Sequence, residues 1–242
     1  EVSPEGIILN TKHVIVATGA SPVTLPSIPV DGNLVITSRE ALELKQVPDS
    51  LVIVGGGATA VEFAYVYATY GSQVTIVELL PNLLPKEDEE LGQLLQKALS
   101  EQGIRVLVGS KVLDMTPIDN QASVKIETPD GTEVLTCDKV LVAVGVTGNI
   151  NNIGLDGLGV VTERSFITVD QNMATNVPGV YAIGDVTGIL PLAHVASAQG
   201  VVAVEHIAGI QTATLNYEAM PRAAYCNPQV ASVGLTEKQA NE

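Results

Sequence analysis

The chain reads as an α/β protein. Short Val/Ile-rich runs alternate with longer helical stretches, a glycine cluster joins one such run to a helix, and 46% of the 242 residues are hydrophobic. Strands that are apolar on every position are the kind buried on both faces by crossover helices.

The elements follow in order. Residues 13–17 (HVIVA) form a strand ending in Thr18-Gly19, and Pro22, Pro26 and Pro29 mark a connection beyond it. A boundary falls near residues 34–50. A strand at 51–54, a helix to about residue 70 and a strand at 73–77 make one βαβ unit. Residues 87–102 have an acidic first turn, suited to a helix N-terminus, and Gly103 as their stop. A strand at 104–108 follows. From 111 to 143 the pattern changes to short strands, with Pro129-Asp130-Gly131 as a hairpin turn. A second boundary lies between Gly145 and Asn151. Residues 166–169 and 180–183 read as strands, and 194–208 as a helix apolar on most sides, hence buried. After Thr212 a new piece begins. The runs VIVATG and YAIGD each carry a strand that ends in Gly, so they are expected in one sheet interrupted by the middle unit.

Composition narrows the function. Twelve Lys and Arg against 27 Asp and Glu give −15, which repels phosphate backbones and anionic lipid surfaces. Neither a nucleic-acid nor a membrane partner is expected, and the apolar runs are too short to span a bilayer. Cys137 and Cys226 form neither a CxxC nor a metal spacing, and His13 and His206 have no ligand partners nearby, so no metal site is expected. The acidic run at 87–90 is a solvated helix start. Opening at Glu1 and running at once into a strand pattern, the sequence is expected to be a fragment of a longer protein.

The most informative stretch is 51–78. Gly55 permits a tight turn out of the strand, Gly57 lets the backbone approach a diphosphate, and Ala60 lets the helix pack closely on the strand. Glu78 closes the next strand, where a carboxylate accepts hydrogen bonds from a ribose 2′-hydroxyl and repels a 2′-phosphate; the alternative is a solvated strand-end acid. Asp185, after VYAIG, is either a ribose or ribityl ligand or a turn residue. The helix start near Leu192 to His194 would direct a partial positive charge at an electron-rich ring such as a flavin. His194 itself reads as a cap or packed imidazole. Glu62 lies beside Val61 and Phe63, so it needs a charged partner or a helix edge in water.

With these residues in place, the chain resembles the flavin-dependent disulfide reductases of the pyridine-nucleotide class, most closely those that oxidise dihydrolipoamide. HVIVATGASP, GGGATAVE with Glu78, VLVAVG, VYAIGDV, LAHVASAQG and YCNPQVASVGLTE carry the resemblance, in order and along nearly the whole chain. It implies a Rossmann-like NAD-binding domain (37–146) inserted in the remainder of an FAD-binding domain (1–36 and 147–212), followed by the start of an α+β dimerisation domain (213–242). NAD contacts would fall on Gly55, Gly56, Gly57, Ala58, Thr59, Ala60, Val61, Glu62, Glu78, Val112 and Gly145. Those to FAD would fall on Thr18, Gly19, Ala20, Asp185, Pro191, Leu192, Ala193 and His194. In the family the acid matching Glu62 pairs with a Lys near the redox disulfide.

The resemblance further implies a homodimeric parent that reduces NAD, with dihydrolipoamide carried on a lipoyl domain of a 2-oxo acid dehydrogenase complex. Its compartment would be the bacterial cytoplasm, or an organellar matrix in a eukaryote. The family's CxxxxC disulfide, its Lys partner and its His-Glu pair match no residues here, so no catalytic residue is expected in this chain. GVTGN at 145–149 departs from the family's usual Arg and Pro, and Ala60 is a variant common in NADP enzymes. The alternatives are a mercuric or glutathione-type reductase, an NADH oxidase, or a nucleotide-binding module without turnover. Lacking the rest of its sheet, the chain is expected to leave strand edges at 13–17 and 180–183 unpaired.

Overall fold

Alternation of side chains builds the middle of the molecule in three layers. In the computed structural model, which describes residues 9–211 and 213–242, Ser50–Val54 pairs in parallel with Gln73–Val77 on one side and Lys139–Val142 on the other. Val35–Ile36 and Arg105–Leu107 complete a five-stranded parallel sheet. Successive residues of a strand point to opposite faces. Leu51 and Ile53 join Ala60, Val61, Ala64, Leu95 and Leu99 of the helices Ala58–Thr69 and Glu89–Glu101. Val52 and Val54 join Val112, Val124 and Ile126 of an antiparallel sheet on the opposite face. Both faces are therefore dry, which explains an all-apolar strand.

The covering sheet comprises Lys111–Ile118, Gln121–Thr128 and Gly131–Cys137. Its second turn runs through Pro129 and Asp130, as the sequence suggests, with Thr128 opposite Gly131. A short helix that the sequence reading passed over, Ser38–Glu43, is started by a capping box. The Thr37 amide and hydroxyl both donate to the Glu40 carboxylate, at 2.8 and 2.6 Å.

The chain divides into two compact units: Pro22–Gly145 with Pro221–Glu242, and Glu1–Ser21 with Val146–Met220. Residues 22–36, assigned from sequence to the FAD segment, fold with the middle unit, where Val35 and Ile36 pair with Val140 and Leu141. Part of the piece assigned to a dimerisation domain does the same. Arg222–Ala224 and Val230–Ser232 form a hairpin. Glu87 accepts from the Ser232 hydroxyl and pairs with Arg222 at 3.2 Å.

In the flanking unit Val14–Val16 lies parallel to Val180–Ala182, with Val16 opposite Ala182. The two runs expected in one sheet are neighbours in it. Of the two edges expected to be unpaired, the outer edge of Val14–Val16 has no strand beside it among the described residues. The far edge of Val180–Ala182 is corrected: the Thr175 amide donates to Val180 O at 2.9 Å and the Ala182 amide to Met173 O at 3.1 Å, around a bridge between Ala174 and Tyr181. A second correction concerns the helix expected to be buried. Ala193–Ile207 buries Val195, Gln199, Val202 and Ala203, while Val201 and Val204 are 58% and 56% exposed. Its buried side packs on Tyr181 and Met173, with Val169, Ala174, Ile183 and Leu215 partly buried beside them, which leaves the rest of the helix surface uncovered. The strand expected at 166–169 is limited to Phe166–Ile167, paired with Thr162–Glu163. Residues 1–8 and 212 of the assigned segments lie outside the described residues. Among the described residues no helix is long and apolar enough to cross a membrane.

Candidate functional site

At the carboxyl end of Ser50–Val54 the chain must reverse tightly into the helix. Gly55 does so at φ +114°, and a Cβ there would lie 2.4 Å from the Ala143 carbonyl oxygen. Only glycine fits. At Gly57, by contrast, nothing lies within 4 Å of the Cβ position, and Gly57 is the N-cap of Ala58–Thr69 without any side-chain capping bond. The helices Ser38–Glu43 and Glu237–Asn241 both carry capping boxes. The glycine-turn helix thus starts with amide N–H groups that no capping side chain claims, beside open space. That combination is suited to an anionic diphosphate. Ala58 and Thr59 are exposed on the first turn, while Ala60 and Val61 are fully buried and seat the helix on the sheet.

Glu78 stands at the carboxyl end of the neighbouring strand. Its amide donates to Leu107 O at 2.8 Å, and its carbonyl accepts from the Ser110 amide at 2.9 Å. Oε1 accepts the Leu80 amide at 2.7 Å. The carboxylate, in a residue only 7% exposed, is turned toward Gly56. A solvated strand-end acid does not describe it. Gly145 follows Lys139–Val142 at φ +127°, exposed, with its carbonyl accepting the Val23 amide at 2.9 Å. Sheet register thus brings Gly55–Gly57, Glu78 and Gly145 to the carboxyl ends of three adjacent strands, where ligands bind in open α/β sheets.

Two expected NAD residues sit differently. Val112 is buried in the core formed with Val54, Val77 and Val142, so any ligand contact from it would come from its main chain. Glu62 finds a backbone partner: its Oε1 accepts the Tyr225 amide at 2.7 Å. That N–H belongs to the C-terminal hairpin, and the charged partner that the resemblance implies matches no residue of this chain.

In the flanking unit, parallel pairing brings Thr18-Gly19 and Gly184-Asp185 to one end of the same two strands. Asp185 is half-buried in the 3-10 helix Gly184–Thr187. Thr18 donates to Asn149 O at 2.7 Å, Asn149 Nδ2 returns a bond to Thr18 O at 2.9 Å, and Ser21 donates to Asn149 Oδ1 at 2.7 Å. Ala20 lies between these anchored residues. Pro191, Leu192, Ala193 and His194 lead into the helix Ala193–Ile207, whose N-cap, Leu192, makes no side-chain capping bond; His194 is exposed.

Sequence reasoning missed the residues that hold these loops. Gln199 is fully buried; its Oε1 accepts the Gly184 amide at 2.6 Å and its Nε2 donates to the Tyr217 hydroxyl at 3.1 Å. The signal was an amide inside an otherwise apolar helix. Asn149 was visible only as the end of the departing GVTGN. Neither cysteine is poised for thiol chemistry. Burial pushes the Cys137 thiol up to about 11 and raises that of Cys226 as well.

The family model described as pyridine nucleotide-disulphide oxidoreductase matches residues 1–200. A dihydrolipoyl dehydrogenase of Chlorobaculum tepidum is 47% identical over 98% of this chain and 51% of its own length. One from Bacillus subtilis is 41% identical over 98% of this chain and 50% of that protein. Among solved structures, LpdA from Mycobacterium tuberculosis superposes with a TM-score of 0.85 at 32% identity, covering 95% of this chain and 50% of that one. The HOCl-induced flavoprotein disulfide reductase RclA from Escherichia coli, as its Cu(II) complex, gives 0.84 at 28% identity, covering 95% and 52%. The chain spans about half the length of the curated relatives it matches.

Proposed function

The chain belongs to the pyridine nucleotide-disulphide oxidoreductase family, and on that premise we propose that its middle unit binds NAD while its flanking unit contributes part of an FAD site. The whole protein would be a dihydrolipoyl dehydrogenase, as its relatives are named. It would be a homodimer taking dihydrolipoamide from a lipoyl domain of a 2-oxo acid dehydrogenase complex, in the bacterial cytoplasm or an organellar matrix.

One observation carries the NAD reading: the Glu78 carboxylate is held against the glycine turn at the carboxyl ends of adjacent strands. Gly55 makes the turn, Gly57 leaves room for the diphosphate, and the amides of the first helical turn face it. Glu78 would accept the adenosine ribose hydroxyls and repel a 2′-phosphate. In the flanking unit Asp185 would hold a ribityl or ribose hydroxyl, Thr18, Gly19 and Ala20 would line the cofactor, and the helix start at Pro191 to His194 would stabilise negative charge on the ring. Bound FAD and NAD supply the electron and hydride transfer itself.

The test is a fluorescence titration of the 242-residue chain with NADH and NADPH, repeated on Glu78→Gln. The wild-type chain should prefer NADH by about tenfold or more, the range of a lost charge-assisted hydrogen bond. Glu78→Gln should narrow that preference. Equal discrimination before and after the substitution would remove Glu78 from the site.

A further inference from the structure

The carboxylate at position 78 can stand where it does only because its neighbour has no side chain. An ideal Cβ on Gly56 would lie 2.8 Å from both Cγ and Oε2 of Glu78 and 2.9 Å from its Cβ, closer than real Cβ atoms come to other heavy atoms. Something would have to move. The backbone on both sides is braced: Glu78 by its bonds to Leu107 and Ser110, and Gly56 by its carbonyl, which accepts the Leu84 amide at 2.8 Å. Rotation of the Glu78 side chain relieves the contacts to Cγ and Oε2, takes Oε1 from the Leu80 amide and swings the carboxylate off the turn, while the contact to the Glu78 Cβ, which no rotation moves, requires a small shift of the backbone.

Gly56 also differs from Gly55 in what demands a glycine. Its φ lies outside the left-handed region, so an alanine would meet no backbone strain there. Gly57 differs again, with open space where a side chain would go. Of the three consecutive glycines, one serves the turn, one the diphosphate, and the middle one serves neither.

We propose that Gly56 is a specificity-determining position that acts through Glu78, keeping the carboxylate poised to tell a free ribose 2′-hydroxyl from a 2′-phosphate. Gly56 is a positioning residue, and the inference rests on the NAD reading given above. A methyl at this position displaces the acid with only a small backbone shift and no left-handed strain in the turn, so it should lower affinity for NADH more than affinity for NADPH.

A double-mutant cycle on the 242-residue chain separates the possibilities. NADH and NADPH dissociation constants are measured for the wild type, Gly56→Ala, Glu78→Gln and the double variant. The expected result is a loss of about tenfold in the NADH over NADPH preference for Gly56→Ala, and no further change when Gly56→Ala is added to Glu78→Gln. Retained NADPH binding in Gly56→Ala shows that the turn is intact. If Gly56→Ala weakens both nucleotides equally, or changes the preference as much without the Glu78 carboxylate as with it, the positioning role is overturned. If Glu78→Gln itself leaves the preference untouched, the NAD reading fails first.

Discussion

The two units solve the same problem, presenting a loop at the ends of parallel strands, with very different amounts of support. In the middle unit the glycine turn sits on a five-stranded sheet covered on both faces, and its central strand is at most 6% exposed from Leu51 to Val54. The flanking unit holds Thr18-Gly19 and Gly184-Asp185 on two three-residue strands, and its one long helix, which packs on Tyr181, keeps exposed valines. What differs is where rigidity comes from. The middle unit draws it from apolar burial in three layers; the flanking loops draw it from buried or bridging amides, Gln199 and Asn149.

The strongest way to break this contrast is at the glycine turn. Gly55→Ala combines a left-handed backbone with a Cβ 2.4 Å from the Ala143 oxygen, and should destabilise the middle unit by about 3 kcal/mol or more. Gly57→Ala places its methyl in open space and should alter stability by only about 0.5 kcal/mol, yet weaken NADH. Urea midpoints followed by circular dichroism, with NADH titrations beside them, give both readouts. Similar unfolding midpoints for the two variants would mean that the turn is not braced as described.

Hydrogen exchange sharpens the comparison without mutation. Amides of Ser50–Val54 and Gln73–Val77 should open only with the whole unit, whereas those of Val14–Val16 and Val180–Ala182 should open locally. A gap of about 100-fold in protection is expected. Equal protection in the two sheets would show that the flanking strands draw on stabilisation that their own packing does not supply.

The same asymmetry governed what the sequence disclosed. Strands buried on both faces advertise themselves as apolar runs, so 51–54 and 73–77 were read almost to the residue, and with them the turn and Glu78. Gln73–Val77 and the hairpin at 129–131 rest on local pattern alone. The flanking unit's order depends on contacts distant in sequence, since Asn149 bonds residues more than 120 positions away; in the middle unit Glu62 meets Tyr225 across 163. No local pattern announces such a partner. The exposed valines of Ala193–Ile207 misled for a related reason, because apolarity states what a helix could bury and not how much sheet is there to bury it.

Gln199 offers the next test. Gln199→Leu keeps the volume but leaves the Gly184 amide without its acceptor in a buried setting, and should cost about 2 kcal/mol, confined to the flanking unit. Exchange at Gly184 and Asp185 should quicken while the central sheet is unaffected. Gln199→Glu keeps an oxygen for Gly184 and can take the Tyr217 hydroxyl as a donor, so it should recover part of the loss. Equal damage from the two variants would point to packing and not to the amide bond.

The smallest effect lies in acid. Asp31, Glu40 and Asp138, all in the middle unit, are held below their ordinary carboxylate range. Burial pushes Asp31 up, but the amides of Asn33, Leu34 and Val35 more than offset it. Glu40 is lowered by the Thr37 hydroxyl and amide. Asp138 is lowered chiefly by the Gln121 side chain, with Ser50 adding its amide and hydroxyl at 2.9 Å each. A carboxylate with a depressed folded value stabilises fully above its unfolded value, here 3.8 for Asp138, and that contribution disappears as pH falls through the folded value. Stability of the middle unit should therefore be flat near neutrality and decline below about pH 4. Asp138→Asn removes one titrating group from that limb, so its urea midpoint should start lower at pH 7 and fall less between pH 5 and pH 3 than the wild type. Parallel acid limbs for the two proteins would mean that the bonds from Gln121 and Ser50 hold the charged and neutral forms of residue 138 equally well.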